Sequence, residues 1–199
     1  DIIDDKIILQ KITNHFLRVN SYYSKFFEYS ADSLKFGKIF FKKPHLLSIT
    51  YYDNLKTPSI VIKADSEKLY VYIANIRVVT EQDLKNKEGS DTMPDKEFNV
   101  YRLAKFYNFS LTGDNILKPL FNEDDKLYKR IIEKYSTFSN PGKTYNLSLT
   151  PKNVELGLNK MNIWVTEDGL IVRAKTVDNN YPIDAIFFEL FPKFRIHIQ

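Results

Sequence analysis

The sequence contains no cysteine. That absence excludes disulfides, thiol catalysis and thiolate metal sites, and it suits an oxidising compartment without establishing one. Long apolar runs are also missing. Stretches such as Ile186 to Phe188 fall far short of the roughly 20 residues that a membrane helix needs, so no bilayer-spanning helix is expected. No Pro-, Gly- or Ser-rich linker divides the 199 residues, and a single domain over 1–199 is expected, with an inserted segment near its middle.

The signatures of common catalytic sites are absent too: no Gly-rich phosphate loop, no His-Glu-x-x-His, no Gly-x-Ser-x-Gly and no dinucleotide fingerprint. His15, His45 and His197 are scattered over unrelated segments and are not expected to make a metal site. The acidic runs Asp4-Asp5 and Glu123 to Asp125 stand at helix starts, where the helix dipole favours negative charge. No nucleophile and base can be paired, so the chain is not expected to be an enzyme or to hold a metal or cofactor.

What is present is apolar and aromatic. Hydrophobic residues make up 43% of the chain and aromatics 15%, too much for a disordered segment, so a globular fold follows. A net charge of +4 and a pI near 9.0 would permit binding to nucleic acid or to an anionic membrane face. The Lys and Arg residues are, however, interleaved with Asp and Glu and accompany no recognition motif, so no nucleic-acid partner is expected. The first residue is Asp1, with neither Met nor signal peptide, as expected of a mature or trimmed chain.

Along the chain, Ile3, Ile7, Ile8, Ile12, Phe16 and Val19 recur at helical spacing, which predicts an amphipathic helix over residues 2 to 19. Ser21 to Ser30 has strand composition, with a polar turn over Ala31 to Ser33. From Phe36 to Tyr72 the pattern alternates with a period of two, predicting antiparallel strands at Leu34–Lys43, His45–Tyr52, Ser59–Ala64 and Lys68–Ala74. Pro44 lacks a backbone donor, so the first of these ends or bends there. A hairpin about Asp65-Ser66 would pair Ile62 with Leu69 and Ile60 with Val71. Parity then gathers Ile39, Phe41, Leu47, Ile49, Tyr51, Ile60, Ile62, Leu69 and Val71 on one apolar face, opposite Lys38, Lys42, Ser48 and Thr50.

Residues 85 to 99 are polar and aperiodic, and read as a loop. Val100 to Phe109 reads as helical, as does a segment capped by Asn122 and running to about Tyr135. From Thr144 strands return, with Asp168-Gly169 as a hairpin signal and Trp164 in the core. Many strands, few helices and no βαβ rhythm predict a mainly β (α+β) fold: an antiparallel sheet with helices on one side.

The block Gly37-Lys38-Ile39-Phe40-Phe41-Lys42-Lys43-Pro44, preceded by Leu9, Ile12 and Phe16, is followed by Ala64-Asp65 and Leu69-Tyr70-Val71-Tyr72. Leu147-Ser148-Leu149-Thr150-Pro151-Lys152, Ile163-Trp164-Val165 and Asp168-Gly169-Leu170-Ile171 come later. In this order and spacing the chain resembles the LolA family of periplasmic lipoprotein carriers over nearly its whole length. The resemblance implies an unclosed antiparallel β-barrel, a half-barrel with helices covering a concave apolar face. It also implies a periplasmic chaperone without enzymatic activity. Such a carrier takes acylated lipoproteins from an inner-membrane lipoprotein-releasing ABC transporter, shields their acyl chains in a hydrophobic cavity and passes them to an outer-membrane acceptor, acting as a monomer.

In the family a basic residue before the proline ties a lid shut. The matching position is Lys43, where the family pattern has arginine, and a lysine with fewer fixed donors implies a looser gate. Lys43 as a solvated strand-end charge like Lys42 is the alternative. The resemblance also leaves open the related outer-membrane acceptor type, a carrier combining both roles, and a lipid-sensing regulatory half-barrel.

Overall fold

In the computed structural model the described residues are 4–84, 104–113, 116–177, 180 and 182–194, the side chains at 156 and 190–194 excepted. The expected loop at 85–99 and residues 100–103 of the expected helix at 100–109 lie outside them. The chain opens with α1 (Asp5–Arg18), followed by β1 (Val19–Ser30), β2 (Ser33–Lys42), β3 (Leu46–Asp53), β4 (Thr57–Ala64), β5 (Lys68–Ile73) and β6 (Val78–Asp83). After these come β7 (Tyr107–Leu111), β8 (Lys118–Pro119), α2 (Lys126–Lys134), β9 (Lys143–Pro151), β10 (Lys160–Thr166), β11 (Ile171–Val177) and β12 (Asp184–Phe194). The strands form one sheet in the order β6-β5-β4-β3-β2-β1-β12-β11-β10-β9-β7, with β8 added beside β9. β6 and β7 end this path, so the sheet is not closed into a barrel, as the expected fold class requires.

Contacts divide the chain into two compact units. The first comprises Asp1–Leu17, Phe27–Leu34 and Val100–Phe188; the second comprises Arg18–Phe26, Lys35–Asn99 and Glu189–Gln199.

In the first unit, β9 and β10 pair so that Tyr145 faces Val165 and Leu147 faces Ile163. These four side chains, with Leu149, form a buried cluster with Ile8 and Ile12 of α1. The helix therefore forms where its apolar stripe meets an apolar sheet face, which supplies most of the stability of so short a helix. The β10–β11 turn is moulded to it. A Cβ on Gly169, whose φ is +94°, would lie 2.4 Å from the Lys11 carbonyl oxygen, and Lys11 Nζ donates to the Glu167 carbonyl at 3.1 Å.

α2 begins at Asp125, whose Oδ1 accepts from the Leu127 and Tyr128 amides at 2.9 and 3.3 Å. The N-cap is thus Asp125 and not Asn122, since its carboxylate reaches two of the free first-turn donors. Leu127 and Ile131 are buried. Close by, Phe27 stacks on Phe188 at 5.3 Å and Phe138 meets Phe188 edge-on at 5.1 Å. The far end of α2 is tied to the β1–β2 turn, where Arg130 Nη1 donates to the Asp32 carbonyl and Lys134 Nζ to the Leu34 carbonyl.

The expected helix at Val100–Phe109 is corrected over its described part. Residues 104–106 are helical, but Tyr107–Leu111 is β7, pairing Phe109 with Leu149 and Leu111 with Leu147. The alternating Tyr107, Phe109 and Leu111 find partners on β9, and that pairing overrides the local helical spacing.

Candidate functional site: one apolar sheet face

The second unit is built on β2 to β6 with the first part of β1. Register fixes which side chains share a face, because residues directly opposite in an antiparallel pair project to the same side. One row across the strands reads Ile39, Ile49, Ile62, Val71, Thr80. A second reads Phe41, Leu47, Ala64, Leu69, Gln82, and a third Gly37, Tyr51, Ile60, Ile73, Val78. All nine residues expected from parity therefore stand on one face of the sheet. Lys38, Phe40, Lys42, Ser48, Thr50, Lys63, Tyr70 and Tyr72 project from the other.

The register within this face differs from the expected one by two residues. Ile62 pairs with Val71, Ile60 with Ile73, and Ala64 with Leu69. The turn is centred on Ser66-Glu67, not Asp65-Ser66. Asp65 Oδ1 accepts from the Glu67 and Lys68 amides at 2.7 and 2.8 Å, and the Asp65 amide donates to the Lys68 carbonyl at 3.1 Å. A shift of two preserves parity, so the face keeps its membership.

Burial is graded along the first row. Ile39 is 1% exposed and Ile49 7%, while Ile62 and Val71 are half-buried and Thr80 is exposed. The row through Phe41, at one end of these strands, is sealed from β2 to β5, with Phe41, Leu47, Ala64 and Leu69 all buried. Tyr51, Ile60, Ile62, Val71 and Ile73 thus make a contiguous half-buried apolar patch over β3 to β5. Large β-branched side chains left partly in water at the centre of a sheet retain hydrophobic free energy that a ligand can collect.

β1 adds two residues that parity reasoning did not assign. The Tyr22 ring lies 6.1 Å from Phe41, and burial pushes its phenol above the ordinary tyrosine range. Phe26 meets Tyr51 edge-on at 5.4 Å and fills the space over Gly37, where a Cβ would lie 2.2 Å from its ring. In Ser-Tyr-Tyr-Ser-Lys-Phe-Phe-Glu-Tyr-Ser aromatics fall on both parities, which hides the two that face this side.

Lys43 follows β2 in the turn leading to β3. β2 ends at Lys42, so strand parity does not extend to Lys43. Its amide donates to the Asn20 carbonyl at 2.9 Å and its side chain is half-buried.

The first unit holds a separate polar cluster that no sequence motif announces. Arg173, 6% exposed, donates from Nε and Nη2 to Asp184 Oδ1 and Oδ2 at 2.9 and 2.7 Å, and from Nη1 to Asp125 Oδ2 at 3.3 Å. Its guanidinium lies 4.6 Å from the Trp164 ring centre and 5.1 Å from that of Phe121. Burial opposes its charge, but the Asp184 and Asp125 carboxylates outweigh that and hold it protonated. An arginine inside Ile-Val-Arg-Ala-Lys-Thr-Val and an aspartate opening Asp-Ala-Ile-Phe-Phe were the available signals.

The mostly antiparallel, unclosed sheet with a few helices is the fold class that the sequence resemblance implies. Among solved structures, an uncharacterised conserved protein from Thermus thermophilus matches 96% of this chain and 88% of its own, with TM-score 0.56 and 10% identity. MucB matches 97% of this chain and 60% of its own, with TM-score 0.54 and 12% identity. In the Pseudomonas aeruginosa MucA/MucB complex the corresponding figures are 96%, 58%, 0.50 and 12%. A LolA superfamily protein from Nitrosomonas europaea matches 98% of this chain and 94% of its own, with TM-score 0.37 and 11% identity. At such identities the likeness to the first three is one of fold, and this chain spans about three-fifths of MucB. No family model and no curated protein matches the sequence. Among the described residues no helix is long and apolar enough to cross a membrane.

Proposed function

We propose that this protein is a periplasmic chaperone that shields the acyl chains of lipoproteins against the apolar face of β2 to β5 and carries them from the inner to the outer membrane. The observation that carries this reading is the half-buried patch of Tyr51, Ile60, Ile62, Val71 and Ile73 on an otherwise sealed apolar face. Burying about a dozen methylenes is worth roughly 10 kcal/mol relative to water, and close to nothing relative to a bilayer. Such a face holds an acyl chain reversibly, and release needs only a more apolar acceptor. The cargo is acylated lipoprotein, received by a monomer from an inner-membrane releasing transporter and given to an outer-membrane acceptor. No covalent step, cofactor or nucleic acid takes part. Lys43, one turn beyond β2, is assigned the gate, and its replacement by alanine should alter uptake.

The test is displacement of an environment-sensitive apolar dye by a triacylated lipopeptide, with the same peptide lacking its acyl chains as control. Displacement by the acylated form alone supports the carrier. Displacement by neither form rejects it. A second reading, a protein-binding regulatory module, draws on the MucB likeness, since MucB is seen in complex with MucA. Dye displacement by neither peptide would favour this module.

A further inference from the structure

A cavity of about 780 Å³ opens in the first unit, within the range typical of small-ligand sites. Its walls include Lys118, Asn122 and Asp125, which lead into α2, and Asn162, Trp164, Arg173 and Lys175 of the sheet. The sheet residues reach it together because Trp164 pairs with Arg173 and Asn162 with Lys175 across β10 and β11. They stand on the opposite parity from Ile163 and Val165, which face α1.

Two features of this wall ask for an anion. A guanidinium carries five N–H donors, and Arg173 uses three of them, two on Asp184 and one on Asp125. A side chain only 6% exposed therefore still has donor capacity while lining a cavity. Moreover, Nη1 holds Asp125 at 3.3 Å, longer than the 2.7–2.9 Å contacts to Asp184 and longer than a strong charge-assisted bond. Asp125 is also engaged elsewhere, capping α2 through Oδ1. It is the most weakly held carboxylate on a cation that lines the cavity. Lys175, exposed on the same wall, adds a second cation beside Arg173.

We propose that this cavity binds a phosphate group, which takes the spare donors of Arg173, competes with Asp125 for Nη1 and draws on Lys175 for a further contact. Phosphate suits the site better than a carboxylate because its oxygens can accept from several cations at once, while a carboxylate only repeats what Asp125 already provides. The phosphate of a lipid headgroup and free inorganic phosphate share this chemistry. The site stands apart from the acyl-chain reading: inorganic phosphate has no acyl chain, so the two readings fail separately.

Trp164, the one tryptophan of the chain, lines the cavity and stacks on Arg173, so its fluorescence reports occupancy directly. The full chain is titrated with inorganic phosphate, with dihexanoyl phosphatidic acid below its micelle concentration, and with dihexanoylglycerol as the phosphate-free control. At least one phosphate-bearing probe should give a saturable change that dihexanoylglycerol does not. Response to inorganic phosphate identifies the free ion as sufficient, and response to phosphatidic acid alone identifies the lipid headgroup. Asp125→Asn keeps a good N-cap while removing the competing charge, and should tighten binding about tenfold. Lys175→Ala, at an exposed position, should weaken it about tenfold. A flat response to both phosphate probes, an equal response to dihexanoylglycerol, or affinities indifferent to both substitutions would overturn the proposal.

Discussion

Gly37 is where the Phe26 ring crosses β2, and a methyl group there has nowhere to go: the Cβ would sit 2.2 Å from the ring. Gly37→Ala should therefore expel Phe26 from its contact with Tyr51 and cost about 1–3 kcal/mol, as overpacking of a closed site generally does. Chemical denaturation reads this directly, and a change below about 0.5 kcal/mol, the range of an ordinary surface substitution, would contradict it. Arg173 makes the opposite case, of removal. Arg173→Met leaves Asp184 buried without its partner and should destabilise by about 3 kcal/mol or more. Arg173→Met combined with Asp184→Leu should recover most of that loss, because an apolar pair of similar volume leaves no buried charge unpaired, Asp125 being partly exposed and still bonded to the α2 amides. If the double variant proved as unstable as the single one, the pairing would not be the source of the loss.

At the scale of elements, two tight turns carry much of the organisation. Gly169 brings the β10–β11 turn against the α1 backbone. Gly169→Ala combines a left-handed φ with a 2.4 Å clash, so α1 should separate from β9 and β10. Hydrogen exchange in α1 should then accelerate while that in α2 does not, and equal acceleration of both would contradict local docking. In the β4–β5 turn the Glu67 amide and then the Lys68 amide hold the Asp65 carboxyl below the usual Asp range. A depressed folded value means that the turn's contribution is present above the ordinary Asp pKa of about 3.9 and lost as pH falls through the lower folded one. An NMR titration should place the Asp65 midpoint below that ordinary value, with the Glu67 and Lys68 amides moving alongside. A midpoint at or above it would break this reading.

The same elements show what was legible in the sequence. Alternation between Phe36 and Tyr72 gave the strands and the membership of the apolar face, because period-two burial leaves a mark at every residue. The β4–β5 register was not legible, since only the hydrogen bonds of Asp65 choose between adjacent turn centres. Tyr107–Leu111 passed for helix because its partner on β9 lies some forty positions away. Arg173, Asp125 and Asp184 meet only through the pairing of β11 with β12 and the capping of α2, so no local pattern announced the cavity.

At the largest scale, the unclosed sheet has an apolar face on β2 to β5 that is sealed at Ile39, Phe41, Leu47, Ile49, Ala64 and Leu69 and half open at Tyr51, Ile60, Ile62, Val71 and Ile73. That gradient separates a site from a core: a core would be sealed across every row, as the row through Leu47 and Leu69 is. Replacing Ile62 by Asp should accordingly cost little folding stability compared with the same change at the buried Ile39, yet remove acyl-chain binding. Thermal unfolding and dye displacement on the two variants make that comparison, and loss of fold in both alike would erase the distinction.

The most direct measurement is photo-crosslinking to a triacylated lipopeptide from p-benzoylphenylalanine placed at Ile62, on the apolar face, and separately at Lys63, its neighbour on the opposite face. If acyl chains lie on this face, crosslinks to the lipid form at position 62 and not at 63, and disappear when the peptide lacks its acyl chains. Equal labelling at both positions, or labelling at 63 alone, would show that the face is not where the protein holds its ligand.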